Sequence, residues 1–84
     1  MEVPRIIEVK PIDDMQLIVC FDGDIKKIYD VKKLFHIFPI FKELEDSNLF
    51  NSVKVEIGGI AIIWNENIDL SRYEIWNNGE DYIE

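Results

Sequence analysis

The stretch Gly58-Gly59-Ile60-Ala61-Ile62-Ile63-Trp64 constrains this chain more than any other. Two adjacent glycines admit the left-handed backbone of a tight reversal, and the five residues after them are apolar on both faces. A strand with two apolar faces belongs in the middle of a sheet. The strand before the glycines, Val53-Lys54-Val55-Glu56-Ile57, alternates cleanly, with Val53, Val55 and Ile57 expected inward and Lys54 and Glu56 outward. The segment 53–64 therefore reads as a hairpin with its second strand buried.

The first half reads as a three-stranded meander. Arg5 to Pro11 is apolar at Ile6, Ile7 and Val9, and Asp13-Asp14 punctuates its end. Met15-Gln16-Leu17-Ile18-Val19-Cys20-Phe21 is apolar on both faces and predicts a second central strand. Asp22-Gly23 supplies the next turn. Asp24 to Tyr29 forms the third strand, where the adjacent Lys26-Lys27 predicts an edge or a bulge.

Asp30 is placed to cap a helix. Val31, Leu34, Phe35 and Phe38 follow at helical spacing, and Pro39 interrupts them. Proline lacks an amide and clashes with the preceding turn, so a short turn over 31–37 and a second helix from Pro39 are expected. That helix turns Phe41 and Leu44 or Leu49 to the sheet, ends at Ser47-Asn48, and leaves Leu49-Phe50 as an apolar plug. The phenylalanines 35, 38 and 41 read as core. Ser71-Arg72-Tyr73-Glu74 fits a capping box for a last helix to about Asn77, stopped by Gly79. Residues 80–84 read as a frayed acidic end. The whole of 1–84 is expected to be one α+β domain, with an antiparallel or mixed sheet of about five strands in the order β-β-β-α-β-β-α and helices on one face.

The order of these landmarks resembles a bacterial family known only as a domain of unknown function, number 2442. The matching pieces are Pro4-Arg5-Ile6, Leu17-Ile18-Val19-Cys20-Phe21-Asp22-Gly23-Asp24, Tyr29-Asp30-Val31, Phe41-Lys42-Glu43-Leu44, Leu49-Phe50, Ile63-Trp64-Asn65 and Ile68-Asp69-Leu70-Ser71. The resemblance implies a small cytoplasmic domain with no established catalytic residues. It also implies an antitoxin-like or partner-binding role, because members are often encoded beside another small protein. Some longer members add a helix-turn-helix. None follows Glu84 here, so direct DNA binding is not expected.

Charge points the same way. The chain of 84 residues has a formal net charge of −8. Residues 1–64 hold 11 acids and 8 bases, and residues 65–84 hold 6 acids against Arg72 alone. Such a surface repels phosphate backbones and anionic lipid and attracts basic proteins. Cys20 is the only cysteine, which suits a reducing compartment. No apolar run approaches the ~20 residues that span a bilayer, and the opening residues do not read as a signal peptide. A cytoplasmic chain that does not bind membranes is expected.

Catalytic patterns are hard to find. His36 is the sole histidine and has no ligand-spaced partner, so it reads as the rim of a core helix. Asp13-Asp14 and Asp22-x-Asp24 flank turns, where aspartate supports the backbone, and no calcium-loop pattern follows them. Ser47, Ser52 and Ser71 lack a nucleophile-elbow context. No enzyme, metal or cofactor is predicted. Asp69, with Asn65, either ties down the loop before the last helix or orients a ligand. Tyr73 and Trp76 either finish the core or centre an interface, with Glu80 and Asp81 as its acidic rim. The leading expectation is a non-enzymatic protein-interaction module, the acidic partner of a small basic protein. The alternatives are a DNA-linked regulatory domain acting through a partner, and a small-ligand-binding protein. Strands apolar on both faces also suit a homo-oligomer.

Overall fold

The computed structural model describes residues 2–83. Strands β1 (Ile6–Ile12), β2 (Gln16–Phe21) and β3 (Ile25–Asp30) form the antiparallel meander, with β2 in the middle. Leu17, Val19 and Phe21 are buried on one face of β2, and Ile18 and Cys20 are half-buried on the other. The three-residue turn after β1 holds Asp14 and Met15 at φ of 61° and 56°, so Met15 belongs to the turn rather than to the strand. Gly23 and Asp24 make the second reversal at φ of 92° and 66°. Lys26 and Lys27 sit in regular register with β2 and carry no bulge. The irregularity falls on β1 instead, between Ile6 and Glu8.

The helical part is broken where proline requires it. A 3-10 turn, Val31–Leu34, is capped by the Asp30 carboxylate, which accepts from the Lys32 amide. A second 3-10 helix, Pro39–Glu45, buries Phe41 and Leu44 and turns Lys42, Glu43 and Glu45 to water. It ends at Asp46 and not at Ser47-Asn48. The Asp46 carboxylate accepts from the amides of Asn48 and Leu49 and so starts a new turn, α1 (Ser47–Phe50). Phe38 is 54% exposed, which removes it from the expected phenylalanine core.

The second sheet holds β4 (Lys54–Val55), β5 (Ala61–Asn65) and β6 (Ile68–Ser71), with β5 central. β4 is shorter than its alternation suggests. Ile57 leaves the ladder for the diglycine turn and is 95% exposed instead of facing in. Helix α2 (Arg72–Asn78) begins where expected, with the Ser71 hydroxyl accepting from the Glu74 amide, and stops at Gly79. The acidic end is not frayed throughout. Glu80–Asp81 forms β7 and pairs with Ile28 and Lys27 of β3. Glu84 lies outside the described residues.

The class is thus α+β with antiparallel pairing, as the sequence indicates. The five expected strands are joined by the short β6 and β7, and the strands divide between two sheets. One apolar cluster joins Leu17, Val19, Phe21 and Tyr29 of the first sheet to Ile62, Trp64, Ile68 and Leu70 of the second. Leu34, Phe41, Leu44, Phe50 and Ile75 of the helical segments close it. No helix among the described residues is long and apolar enough to cross a membrane.

Candidate functional site

The residues singled out in the sequence fall in three separate places. Trp76 is half-buried and meets the Phe21 ring edge-on at 5.1 Å. The Lys27 ammonium lies 4.9 Å from its ring centre and 2.9 Å from the Asp81 carboxylate. Trp76 and Asp81 are therefore joined through Lys27, and this contact fastens β7 to the meander. Glu80 is exposed beside them. Tyr73 takes no part in this contact: it is 52% exposed, with the Arg72 guanidinium 5.1 Å over its ring.

Asn65 has a structural task. Its side-chain oxygen accepts from the amides of Asn67 and Ile68 and builds the turn between β5 and β6. This is the loop-tying role considered for Asp69. Asp69 itself is exposed on the outer face of β6.

Asp69 also lines a groove of about 360 Å³. Its floor is Leu34, Phe41 and Leu70, its apolar rim Phe38 and Ile40, and its polar rim Asp69, Ser71 and Glu74. Two acids and no base line it among the described residues. Ile37, 64% exposed, stands beside Phe38 on the adjoining surface. Helical spacing assigns Phe38 to a core cluster with Phe35 and Phe41, and Ile40 carries no signal of its own. At the proline break that the sequence does announce, the side chains on either side of Pro39 turn outward. The clean alternation of Ile68-Asp69-Leu70-Ser71 was the available signal for β6.

The most perturbed side chain is bonded to a residue of this rim. Tyr29 is fully buried, and its hydroxyl donates to Glu74 Oε2 at 2.8 Å. Burial, then the hydrogen bond to Glu74, then the charges of Glu74 and Asp30 push the phenol far above its usual range. The Lys33 ammonium sits 4.3 Å over the same ring and donates to the carbonyl of Asn78. The arrangement keeps a neutral phenol as a donor and ties β3 to α2.

This pair gives a pH prediction. The folded pKa of Tyr29 lies above the unfolded value of about 10. Its stabilising effect is therefore complete below that pH and is lost as pH climbs above it. In an alkaline titration followed by phenolate absorbance, one of the three tyrosines should ionise only as the near-UV dichroism collapses. Tyr29→Phe should remove that late component. Full ionisation of all three with the fold intact would refute the assignment.

Among the described residues no group of three or more His, Cys, Asp or Glu side chains is placed to hold a metal ion. No curated protein and no solved structure matches the chain. A family model described as "Protein of unknown function (DUF2442)" matches residues 6–81, from the first residue of β1 to the last of β7. That match takes in both sheets, the helical segments and the groove, and the chain belongs to this family.

Proposed function

We propose that this chain is a non-enzymatic protein-interaction module whose natural partner is a small basic protein, in an antitoxin-like pairing in the cytoplasm. The observation that carries this reading is the exposed apolar step Ile37, Phe38 and Ile40 beside an acid-rimmed groove, on a chain of net charge −8. Exposed apolar groups gathered in one place and rimmed by polar ones mark interaction surfaces. The two acids on the rim of the groove favour an oppositely charged partner and speed its encounter. The alternative surface around Trp76 and Asp81 is less suited, because Phe21 and Lys27 already engage those side chains.

The test is capture of partners by the tagged chain from nuclease-treated lysate of its own host, read by mass spectrometry across a salt series. A small basic protein in stoichiometric amount, released at high salt, is the expected result. Phe38→Asp should reduce its recovery at least tenfold without altering the dichroism of the chain. Recovery of the chain alone at native expression level would overturn the reading.

A further inference from the structure

The groove follows an open sheet edge, and the hydrogen-bond ladder shows which backbone groups face it. The Glu56 amide donates to the Ala61 carbonyl at 2.9 Å, so Ala61 and Ile63 direct their backbone groups toward β4. Backbone direction alternates along an antiparallel strand, so Ile62 directs its own toward β6, where Leu70 is its partner. The Arg72 amide donating to the Ile60 carbonyl at 2.9 Å, two residues along the same ladder, agrees. Asp69 and Ser71 therefore turn their amides away from β5, and Asp69 turns its carbonyl away as well. The carbonyl of Ser71 belongs to the first turn of α2, because Ser71 is its N-cap.

Two further facts place these three groups in the groove. Asp69 and Ser71 lie on the outer face of β6 and Leu70 on the core face, yet all three line it. A cavity lined from both faces of a strand runs along the strand's edge. In a capping box the Glu74 carboxylate would turn back to the Ser71 amide. Here it accepts from the Tyr29 hydroxyl, and the Ser71 amide stays directed outward.

Resting on the interaction reading above, we infer that the β6 edge receives an extended segment of the basic partner as a fourth strand of the second sheet. A Lys or Arg of that segment lies opposite Asp69, and an apolar side chain rests on Phe38 and Ile40. Main-chain bonds to the Asp69 and Ser71 groups supply register, and the groove supplies side-chain selection. A second copy of this chain suits the edge poorly. It would bring two chains of net charge −8 together, with Asp69 and Glu74 of both along one seam, and like charges facing across strands repel.

The test uses the full chain, isotope-labelled, titrated with synthetic ten-residue peptides that alternate valine with lysine, glutamate or serine. The lysine peptide should shift the Asp69 and Ser71 amides and the Phe38 ring, with the serine peptide weaker and the glutamate peptide weakest. Asp69→Lys should weaken the lysine peptide at least tenfold and invert its order with the glutamate peptide. Asp69→Pro removes an outward amide that no ladder bond uses, a place where proline is tolerated. It should keep the spectrum elsewhere and abolish binding. No shift with any peptide, or shifts scattered over the acidic surface and unchanged in Asp69→Pro, would overturn the edge. So would a free chain that dimerises and becomes monomeric on Asp69→Pro. A basic partner captured equally by wild type and Asp69→Pro refutes the edge alone, whereas no captured partner refutes the interaction reading itself.

Discussion

Gly59→Ala should be among the most damaging single-methyl changes in the chain, with an expected loss of about 3 kcal/mol or more. Two effects add. Gly59 sits at φ +68°, where any side chain costs about 1–2 kcal/mol. A Cβ there would also overlap the Ile6 carbonyl oxygen and come within 2.9 Å of the Ile6 amide nitrogen and the Arg5 Cβ. These are mostly backbone atoms of the strand that opens the first sheet, and forcing such a contact apart costs about 1–3 kcal/mol more. Gly58→Ala is the control. It has φ +84°, but its Cβ would meet nothing closer than Ile60 Cγ2 at 3.8 Å. Urea denaturation should show the Gly58 variant losing only the conformational part. Equal losses would mean that the close approach of Gly59 to β1 contributes nothing.

Trp64→Ala should be comparably severe, at about 3–5 kcal/mol. Trp64 is buried on the central strand β5, meets the Phe41 ring edge-on at 6.2 Å, and donates from Nε1 to the Phe50 carbonyl at 3.1 Å. Total stability of a small domain is about 5–15 kcal/mol, and a chain of this length sits toward the low end. The alanine variant should therefore be largely unfolded at ambient temperature. Trp64→Phe separates the contributions. It keeps most of the apolar volume and leaves the Phe50 carbonyl without its donor, an expected loss of about 1–3 kcal/mol. Trp76 remains as a fluorescent reporter in both variants. Losses of equal size would mean that the indole N–H, rather than the volume, holds α1 against the sheet.

The parts of the fold that could be read in the sequence depend on neighbours close along the chain. Asp30 and Ser71 cap helical turns because the amides they need lie two and three residues away. Pro39 starts a helix by covalent geometry alone, and Leu17, Val19 and Phe21 announce a buried strand by their spacing. What could not be read depends on distant partners. Residues 80 and 81 become a strand because Lys27 and Ile28 present an edge to them. Glu74 looks like half of a capping box until Tyr29, 45 residues earlier, takes its carboxylate. Ile57 alternates with Val53 and Val55 and would have faced inward in a longer strand, but the diglycine turn begins one residue too soon. The candidate site was legible only at Asp69. Its apolar half was not, because the proline break is visible in the sequence but the outward turn of Phe38 and Ile40 beside it is not.

The bond between Tyr29 and Glu74 has a consequence for synthesis. The meander is made of neighbouring hairpins and can pair as soon as it leaves the ribosome, whereas the helix that covers its end follows 45 residues later. At about 5–20 residues per second, Leu17, Val19 and Phe21 wait several seconds without their full cover. Over that interval β1 and β3 are both free edges of the meander, and β3 carries two adjacent lysines where another nascent chain would have to pair. Charge at that place discourages edge-to-edge association. Lys27 thus serves twice, first keeping growing chains apart and later receiving Asp81 when the last strand arrives.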